Sequence, residues 1–382
     1  RERLGEAGLA GLERNSSFPA VAALADATDA QADLIRLWVL GRPVPGPRIR
    51  AALSTTEDLV RAGLLRADGD VFRAEVELKP YGTDRMAGWI CSDRTPLDGR
   101  VVPPRSDFVL GASPASTTLT QLVPPGHVGR VLDLGTGCGI QALNLDADEI
   151  VATDLNPRAI DLARVTLGLS GVEADLRLGS LYQPVPGERF DLIVTNPPYV
   201  ISPPTGERLV YRETGFSGDD LMRRVVTGAP AHLDDGGTLV VLGNWAITAD
   251  QPWQDRLADW IAPTGCDAMV LQRERLDPYE YIELWLADAG LTGTPEYAPR
   301  YAEWAAYFTQ LGIVGVGMGW LTLYHEQRDD PSLTFEEWPH QVHQPVGPAF
   351  AAHPAALTAA RQPDAALLAA TLVVADDVTQ ET

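Results

Sequence analysis

Runs of apolar residues that end at glycine, proline or an acidic residue recur through the middle of the chain. Arg130–Leu134, Glu149–Thr153 and Phe190–Thr195 are such runs, and their length and composition predict short buried strands. A further run, Thr238–Leu242, follows a pair of glycines. Stretches compatible with helices separate the runs, so the pattern predicts an α/β fold in which ligands lie beyond the carboxyl ends of the strands.

The N-terminal third has a different pattern. It predicts helices near residues 31–40, 48–53 and 56–62. A hairpin follows, with Asp68-Gly69-Asp70 as its turn and residues 71–78 as an alternating strand. Three helices followed by a hairpin resemble a winged-helix domain, so we expect an α+β domain of this kind over residues 1–105. Winged helices often bind DNA, but fold analogy alone does not decide function.

The remaining elements are predicted from shorter patterns. Strands are expected at residues 89–92, 108–110, 268–272 and 313–324, and helices at 112–122, 252–261, 278–289 and 304–311. The last fifty residues are expected to be irregular, as a structural appendage or a substrate-side lid. Nine residues separate Gly139 from Glu149. The helix expected there is therefore abbreviated, unless part of the chain is missing.

A glycine-rich turn follows the first buried strand. Gly135, Gly137 and Gly139 alternate with Thr136 and Cys138, so the backbone can turn sharply and approach a ligand where side chains would block it. Dinucleotide-binding enzymes use a similar turn, but their glycine spacing is G-x-G-x-x-G. The G-x-G-x-G spacing after an acidic residue, Asp133, favours a different nucleotide-like cofactor.

An acidic residue also ends the second buried strand. The Asp154 carboxylate can accept hydrogen bonds from both hydroxyls of a ribose. The alternative is that Asp154 caps the helix expected to begin near Pro157.

Asn196-Pro197-Pro198-Tyr199 closes the third buried strand, 57 residues after Gly139. The Asn196 side-chain oxygen and the Pro197 carbonyl could each accept one N–H of a planar nitrogen, whose lone pair is delocalised. The prolines restrict the backbone and set the direction of that carbonyl before a substrate arrives. Tyr199 offers a flat face for stacking. An ordinary proline-rich turn is the alternative.

Residues 131–247, about a third of the chain, resemble the class I methyltransferases that use S-adenosylmethionine (SAM), and within them the protein-glutamine methyltransferases that modify peptide-chain release factors. The resemblance rests on five motifs in order, which read VLDLGTGCG, ATDLNPRAIDLARVTLGLSGV, LRLGSLYQPV, FDLIVTNPPYV and the Gly236-Gly237 pair before TLVVL. It implies a Rossmann-like sheet of seven strands within residues 106–327, followed by an acidic C-terminal extension over residues 328–382.

The resemblance also implies a cofactor site. It assigns the loop Gly135–Gly139 to the methionine part of SAM, Asp154 to the ribose and Ser180 with Leu181 to the adenine. Asp133, Leu155 and Asn196 are also expected among the cofactor-binding residues. Many relatives carry an acidic residue where Ser180 stands, and a hydroxyl accepts the adenine amino group less strongly. The product would be S-adenosylhomocysteine, and no metal is expected. Residues 112–122 precede the loop as a gate-like segment does in relatives, so Ser116, Thr117 or Thr118 would cover the cofactor or cap a helix.

The function expected from these motifs is methylation of a glutamine side-chain amide in a protein. The alternatives are the exocyclic amine of guanine or adenine in rRNA or DNA, and a small-molecule amide or arylamine. Net charge is −22 for the chain, with −1 over residues 1–110, −10 over 111–277 and −11 over 278–382. This distribution disfavours nucleic acid, because phosphate contacts by Lys and Arg dominate that affinity. No apolar run is long enough for a membrane span, so a cytoplasmic enzyme is expected. The sequence does not specify an oligomeric state.

Overall fold

A central sheet of eight strands organises the part of the chain that the computed structural model describes, which comprises residues 2–83, 86–100, 105–204, 212–213 and 216–371. Its strands are β6 (Val128–Leu134), β7 (Ala147–Asp154), β8 (Asp175–Leu178), β9 (Phe190–Thr195), β10 (Leu233–Thr248), β11 (Asp267–Leu276), β12 (Ile313–Tyr324) and β13 (Leu333–Glu337). They lie in the order β13-β11-β12-β10-β9-β6-β7-β8.

All neighbouring strands pair in parallel except at β12, which is antiparallel to both β10 and β11. The helices around the sheet are α6 (Pro114–Leu122), α7 (Ile140–Asn144), α8 (Pro157–Ser170), α9 (Asp220–Gly228), α10 (Trp253–Ile261), α11 (Pro278–Asp288), α12 (Tyr297–Gln310), α13 (Gly347–Ala360) and α14 (Asp364–Ala369). The α/β fold class is confirmed.

The strands predicted as buried runs are covered on both faces. Successive residues of β6, Val131 and Leu132, pack into different hydrophobic clusters, as do Leu192 and Ile193 of β9. Fully burying each aliphatic side chain of this size contributes about 1.5–3 kcal/mol. Burial on both faces explains why these strands appear as continuous apolar runs without alternation.

The sheet has one strand more than predicted. Strand β13 lies in the C-terminal segment expected to be irregular, and it pairs in parallel with β11, whose backbone would otherwise form an open edge. Two further contacts attach this segment: Tyr324 Oη donates to the Phe350 carbonyl at 2.9 Å, and Arg328 Nη2 donates to the Pro354 carbonyl at 3.1 Å. The expectation of an irregular segment is therefore wrong for residues 333–337, 347–360 and 364–369.

The N-terminal part contains the expected helices and hairpin. Its elements are α1 (Gly5–Glu13), α2 (Phe18–Ala23), α3 (Ala30–Leu34) continued by a π-helical turn (Ile35–Val39), β1 (Val44–Pro45), α4 (Gly46–Ala52), α5 (Thr56–Arg61), β2 (Leu65–Asp68), β3 (Val71–Ala74), β4 (Val76–Gly82) and β5 (Ala87–Asp93). Strands β1, β3 and β2 form a small antiparallel sheet.

Two strand predictions in this region were wrong. The strand predicted over residues 71–78 is divided, because β3 pairs with β2, whereas β4 leaves that sheet to pair with β5. Residues 108–110 form no strand. The backbone of Val109 instead meets Asp93: its N–H donates to Asp93 Oδ2 at 2.9 Å, and its carbonyl accepts from the Asp93 N–H at 3.0 Å. The segment Gly139–Glu149 is continuous and holds α7, a helix of only five residues.

Helix α8 joins the N-terminal part to the central sheet. The hydroxyls of Thr166 and Ser170 accept hydrogen bonds from the backbone N–H groups of Cys91 and Trp89, both at 3.0 Å. Arg158 forms a two-nitrogen ion pair with Asp93, whose side chain is only 8 % exposed. Strand β5 is thus fixed to α8 by hydrogen bonds and one largely buried charge pair.

Replacing Arg158 with alanine should destabilise the protein strongly, because the carboxylate of Asp93 would stay buried without its partner. The expected loss in the free energy of unfolding is about 2–4 kcal/mol, below the cost for a fully buried pair because Arg158 is 22 % exposed. Urea unfolding measures it. Arg164→Ala on the same helix is the control, because Arg164 and Asp161 form an exposed pair whose loss costs less than about 1 kcal/mol. Equal losses in the two variants would contradict this account.

Candidate functional site

Three neighbouring parallel strands end at one edge of the sheet and bring the predicted motifs together. Leu134 of β6 lies beside Thr153 of β7 and Thr195 of β9 in the registers of the two strand pairs. The glycine loop, Asp154 and Asn196 follow these three positions. A cavity of about 340 Å³ lies there, within the range of roughly 300–1,000 Å³ usual for small-molecule sites.

Most of the predicted site residues line this cavity. They are Gly135, Thr136, Gly137, Cys138, Asp154, Leu155, Ser180, Leu181, Asn196, Pro197 and Pro198. Asp133, Gly139 and Tyr199 are absent from the lining. The structure therefore brings eleven of the fourteen predicted residues together in the cavity lining and leaves three outside it.

The glycine loop is held by hydrogen bonds from its own backbone. The N–H groups of Gly135 and Thr136 both donate to the Thr153 carbonyl, at 2.9 and 2.8 Å, and the Gly137 N–H donates to Asp154 Oδ2 at 2.9 Å. Gly137 has a φ of +55°, in the left-handed region that other residues rarely adopt. Gly139, with a φ of +84°, packs against helix α8, where a Cβ would come within 3.3 Å of the Ala163 Cα. Its role is in packing.

Asp133 lies beneath the loop and holds its two ends together. Its Oδ2 accepts from the Thr136 hydroxyl at 2.6 Å and from the Ala142 N–H at 3.0 Å. Its Oδ1 is buried and has no hydrogen-bond partner among the described residues. Burial is the main cause that raises the pKa of Asp133 from 3.8 to about 6, against the lowering effect of these two hydrogen bonds.

The Asp154 carboxylate connects the loop to the end of β7. Its Oδ2 accepts from Gly137, and its Oδ1 accepts from the Asn156 N–H at 2.8 Å. Burial raises the pKa of Asp154, and backbone hydrogen bonds partly oppose that effect. Asp154 is not the cap of helix α8. That position belongs to Asn156, whose side chain accepts from the Arg158 N–H at 3.0 Å. Each Asp154 oxygen retains a lone pair for a further donor.

Asn196 carries an unsatisfied acceptor. Its Oδ1 is buried and has no hydrogen-bond partner among the described residues. Such atoms are uncommon in folded proteins and need an explanation, because leaving a buried polar atom unpaired costs about 1–3 kcal/mol. Tyr199, in contrast, packs against the hydrophobic clusters of the core, and burial raises the pKa of its hydroxyl. The predicted stacking face of Tyr199 therefore lies outside the cavity wall.

Sequence reasoning missed one charged group of the cavity wall, the Glu213 carboxylate. Its Oε1 accepts from Arg212 Nε and Nη2 at 3.1 and 2.8 Å, and Arg212 Nη1 lies 2.6 Å from Asp288 Oδ2. No local pattern marks Glu213, which lies 17 residues after Asn196 in the sequence. The cavity is also lined by apolar residues from two stretches of chain, Phe216, Leu221 and Val225 in one and Phe108, Val109 and Leu110 in the other.

Helix α6 contributes a polar edge. Ser113 and Ser116 both line the cavity, and together they form a capping box in which the Ser116 N–H donates to Ser113 Oγ at 3.2 Å. The N-cap of α6 is thus Ser113, and Ser116 is its partner in the capping box. Ser116 lines the cavity, whereas Thr117 and Thr118 are absent from the lining.

The lining is acidic. Asp154 and Glu213 belong to it, and among the described residues that line it there is no Lys, Arg or His. The described residues also contain no group of three side chains arranged to hold a metal ion, and no helix in them has the length and apolarity to cross a membrane. The cavity thus favours a ligand that carries positive charge and hydrogen-bond donors.

Comparison with known proteins gives independent information about these segments. Residues 112–259 match a family model described as methyltransferase small domain, and residues 1–75 match a domain of unknown function, DUF7059. The chain is 32% identical over 233 residues to a release factor glutamine methyltransferase of Deinococcus radiodurans, covering 54% of this chain and 81% of that protein.

Two further relatives are also glutamine methyltransferases. A ribosomal protein uL3 glutamine methyltransferase of Bordetella pertussis is 29% identical, over 50% of this chain and 68% of the relative. A release factor glutamine methyltransferase of Xylella fastidiosa is 37% identical over 134 residues, which are 30% of this chain and 47% of that protein. The chain thus spans about half the length of the Xylella relative.

The buried carboxyl of Asp133 should make stability depend on pH. A pKa raised on folding contributes stability that is complete below the unfolded value of 3.8 and is lost as pH rises through about 6. Between pH 4.5 and 7 the wild type should lose about 2 kcal/mol relative to Asp133→Asn. Chemical unfolding of both proteins across this range measures the difference. Parallel curves, like those expected for the exposed control Asp161→Asn, would refute it.

Proposed function

The chain belongs to the protein glutamine methyltransferase family, and on that premise we propose that it transfers a methyl group from SAM to the side-chain amide nitrogen of a glutamine in a partner protein. The observation that carries the proposal is the buried, unpartnered Oδ1 of Asn196 in the wall of the cavity. This atom can accept a hydrogen bond from an amide N–H of the substrate.

The residues of the cavity suit SAM. The glycine loop exposes backbone where a ligand can approach closely, and Asp154 retains acceptor capacity on both oxygens for the hydroxyls of a ribose. Ser180 and Leu181 would contact the adenine, and Leu181 has a φ of +49°, a conformation that leucine seldom adopts. An acidic lining also complements the positive charge of a sulfonium.

When bound, SAM supplies an electrophilic methyl group, so the task left to the protein is to present the amide nitrogen. Asn196 Oδ1 and the Pro197 carbonyl would accept its two N–H bonds and leave the third direction of the nitrogen free. Transfer would form the carbon–nitrogen bond with the SAM sulfur as leaving group, and the nitrogen would lose one of its two N–H protons once it carries the methyl group. Pre-orientation of this kind contributes several kcal/mol, within the ~7–11 kcal/mol available from aligned proximity.

The charge of the protein supports a protein partner over a nucleic acid. Net charge is −22, and long-range repulsion of a polyanion follows from it. The experiment that separates substrate classes is incubation with cell extract and SAM labelled in its methyl group, followed by protease or nuclease. The proposal requires label that is released by protease as methylated glutamine. Label released by nuclease, with affinity that falls steeply as salt is added, would instead identify a nucleobase substrate.

Asn196→Ala should separate chemistry from cofactor binding. We expect methyl transfer to fall about 10²–10³-fold, the scale seen when one preorganised hydrogen bond at a reacting group is lost. The dissociation constant of SAM, measured by calorimetry, should stay within about threefold of wild type. Asn144→Ala is the control, since Asn144 is absent from the cavity lining and its amide donates to the Ile140 carbonyl and the Tyr81 hydroxyl. Turnover unchanged in Asn196→Ala would remove this residue from the proposed mechanism.

Asp154→Ala should have the opposite signature. Its carboxylate fixes Gly137 and would bind the ribose, so SAM affinity should weaken at least about tenfold, as expected for the loss of a charge-assisted hydrogen bond. Calorimetric titration with S-adenosylhomocysteine gives the same readout without turnover. Asp161→Ala on the exposed face of α8 serves as the matched control. An unaltered dissociation constant in Asp154→Ala would exclude it from the cofactor site.

A further inference from the structure

A second cavity, of about 370 Å³, lies in the N-terminal part of the molecule. It is formed between the chain that follows the π-helical turn, the end of β3 and the chain that follows β5. Its lining consists of Leu40, Gly41, Arg42, Pro43, Arg73, Arg94, Thr95, Pro96, Leu97, Asp98 and Arg100. None of these residues lines the cavity at the sheet edge.

The charge of this lining is opposite to that of the whole protein. Four arginines line the cavity with a single acidic residue, Asp98, although the chain carries a net charge of −22. The Asp98 carboxylate is already engaged, because it accepts from the Ser17 N–H at 2.7 Å and from the Ser17 hydroxyl at 2.6 Å. Its contact with Arg42 Nη2 is longer, at 3.4 Å. Arg73 is also engaged, because its Nε lies 3.0 Å from Asp68 Oδ2. The remaining excess of positive charge therefore comes from Arg42, Arg94 and Arg100.

Two of the arginines have donors without strong acceptors. Arg42 Nε is buried and has no hydrogen-bond partner among the described residues. Arg94 Nη1 reaches only carbonyl oxygens, those of Trp38 at 3.2 Å and Val76 at 3.4 Å. Burial lowers the pKa of Arg94, so its charge is poorly solvated. Leaving guanidinium donors unpaired and partly buried is costly unless a ligand completes their hydrogen bonds.

Gly41 is the feature that admits the Arg94 guanidinium. A Cβ at Gly41 would lie 1.9 Å from Arg94 Nη2, and its φ of +62° is also in the left-handed region. Any other residue would displace the guanidinium from this wall. Glycine at this turn therefore leaves room for the Arg94 guanidinium in the cavity wall.

We propose that this cavity binds the phosphate group of a small phosphorylated molecule. Guanidinium groups match the geometry of phosphate oxygens and bind them through pairs of hydrogen bonds. Arg42, Arg94 and Arg100, beside the one engaged carboxylate of Asp98, suit a dianionic ligand better than a monoanionic carboxylate. The enclosed volume suits a small molecule, and the strongly acidic protein around it opposes a nucleic acid. The inference does not depend on the proposed methyl transfer.

Titration with inorganic phosphate tests the proposal. Phosphate is titrated into the protein with and without excess S-adenosylhomocysteine, which should leave phosphate binding unchanged, and ionic strength is held constant with chloride. Calorimetry should show saturable binding of one phosphate. In Arg42→Gln and in Arg100→Gln the affinity should fall at least about tenfold, because each variant loses a charge-assisted hydrogen bond to the anion.

The two substitutions differ in how much they should disturb folding, so a loss of phosphate binding in both variants cannot be explained by unfolding alone. Arg42 contacts Ser17 and Asp98. Among the described residues, the exposed Arg100 donates only its backbone N–H, to the Leu97 carbonyl at 3.3 Å, and its side chain interacts with Asp98 through charge alone. Arg100→Gln should therefore fold like the wild type. Circular dichroism checks this. Arg164→Gln, an exposed change on helix α8, is the control and should bind phosphate with unchanged affinity.

Three further probes distinguish the source of the phosphate. A nucleoside 5′-monophosphate that binds more tightly than inorganic phosphate would identify a phosphorylated metabolite, and equal affinity would identify free phosphate; both support the proposal. Tighter binding of a single-stranded RNA oligonucleotide, or of an acidic peptide, would overturn it in favour of a macromolecular partner. The absence of saturable phosphate binding, or binding unchanged in both Arg42→Gln and Arg100→Gln, would overturn it altogether.

Discussion

The buried carboxylate of Asp154 is the interaction on which the cavity depends. It joins three pieces of chain that are distant in sequence or in direction: the end of strand β7, the glycine loop through the Gly137 N–H, and the start of helix α8 through the Asn156 N–H. Burial raises the pKa of Asp154, so the folded protein maintains this charge against a desolvation cost. The same oxygens retain lone pairs, so under the proposed function one group would both build the loop and offer acceptors to a ribose.

Two polar side-chain atoms near this carboxylate lack hydrogen-bond partners among the described residues. They are Asn196 Oδ1 and Asp133 Oδ1, and both are buried. In a core such atoms would only destabilise, because their hydration is lost without replacement. At a binding site the cost is recovered when a substrate donor arrives, which makes the bound state more favourable than a fully satisfied site would allow. Unlike Asn196, Asp133 lies beneath the loop and outside the lining, so its open oxygen is a cost of holding the turn.

The parts outside the parallel strands complete the architecture in different ways. Strand β13 covers the open edge of β11, and the N-terminal part is fixed to helix α8 by the Arg158–Asp93 pair. Asp93 also accepts a hydrogen bond from the backbone of Val109, which lines the cavity at the sheet edge. Arg94, which follows Asp93 in the sequence, lines the cavity of the N-terminal part. The acidic cavity and the basic cavity therefore adjoin a single short stretch of chain. Their opposite charges suit ligands of opposite sign.

The sequence alone determined the strands that end at the site, because a strand buried on both faces requires an unbroken apolar run, as in Phe190–Thr195. It also determined the glycine loop, since the left-handed φ at Gly137 excludes most other residues. Only the tertiary structure decided which residues face the cavity. Tyr199 packs into the core and Gly139 packs on α8, whereas Glu213 and Arg94 line cavities together with residues that are distant in sequence. A local sequence pattern determines which secondary-structure element a residue belongs to. The orientation of its side chain toward a cavity, and the pairing of an edge strand such as β13, depend on contacts with residues that are distant in sequence.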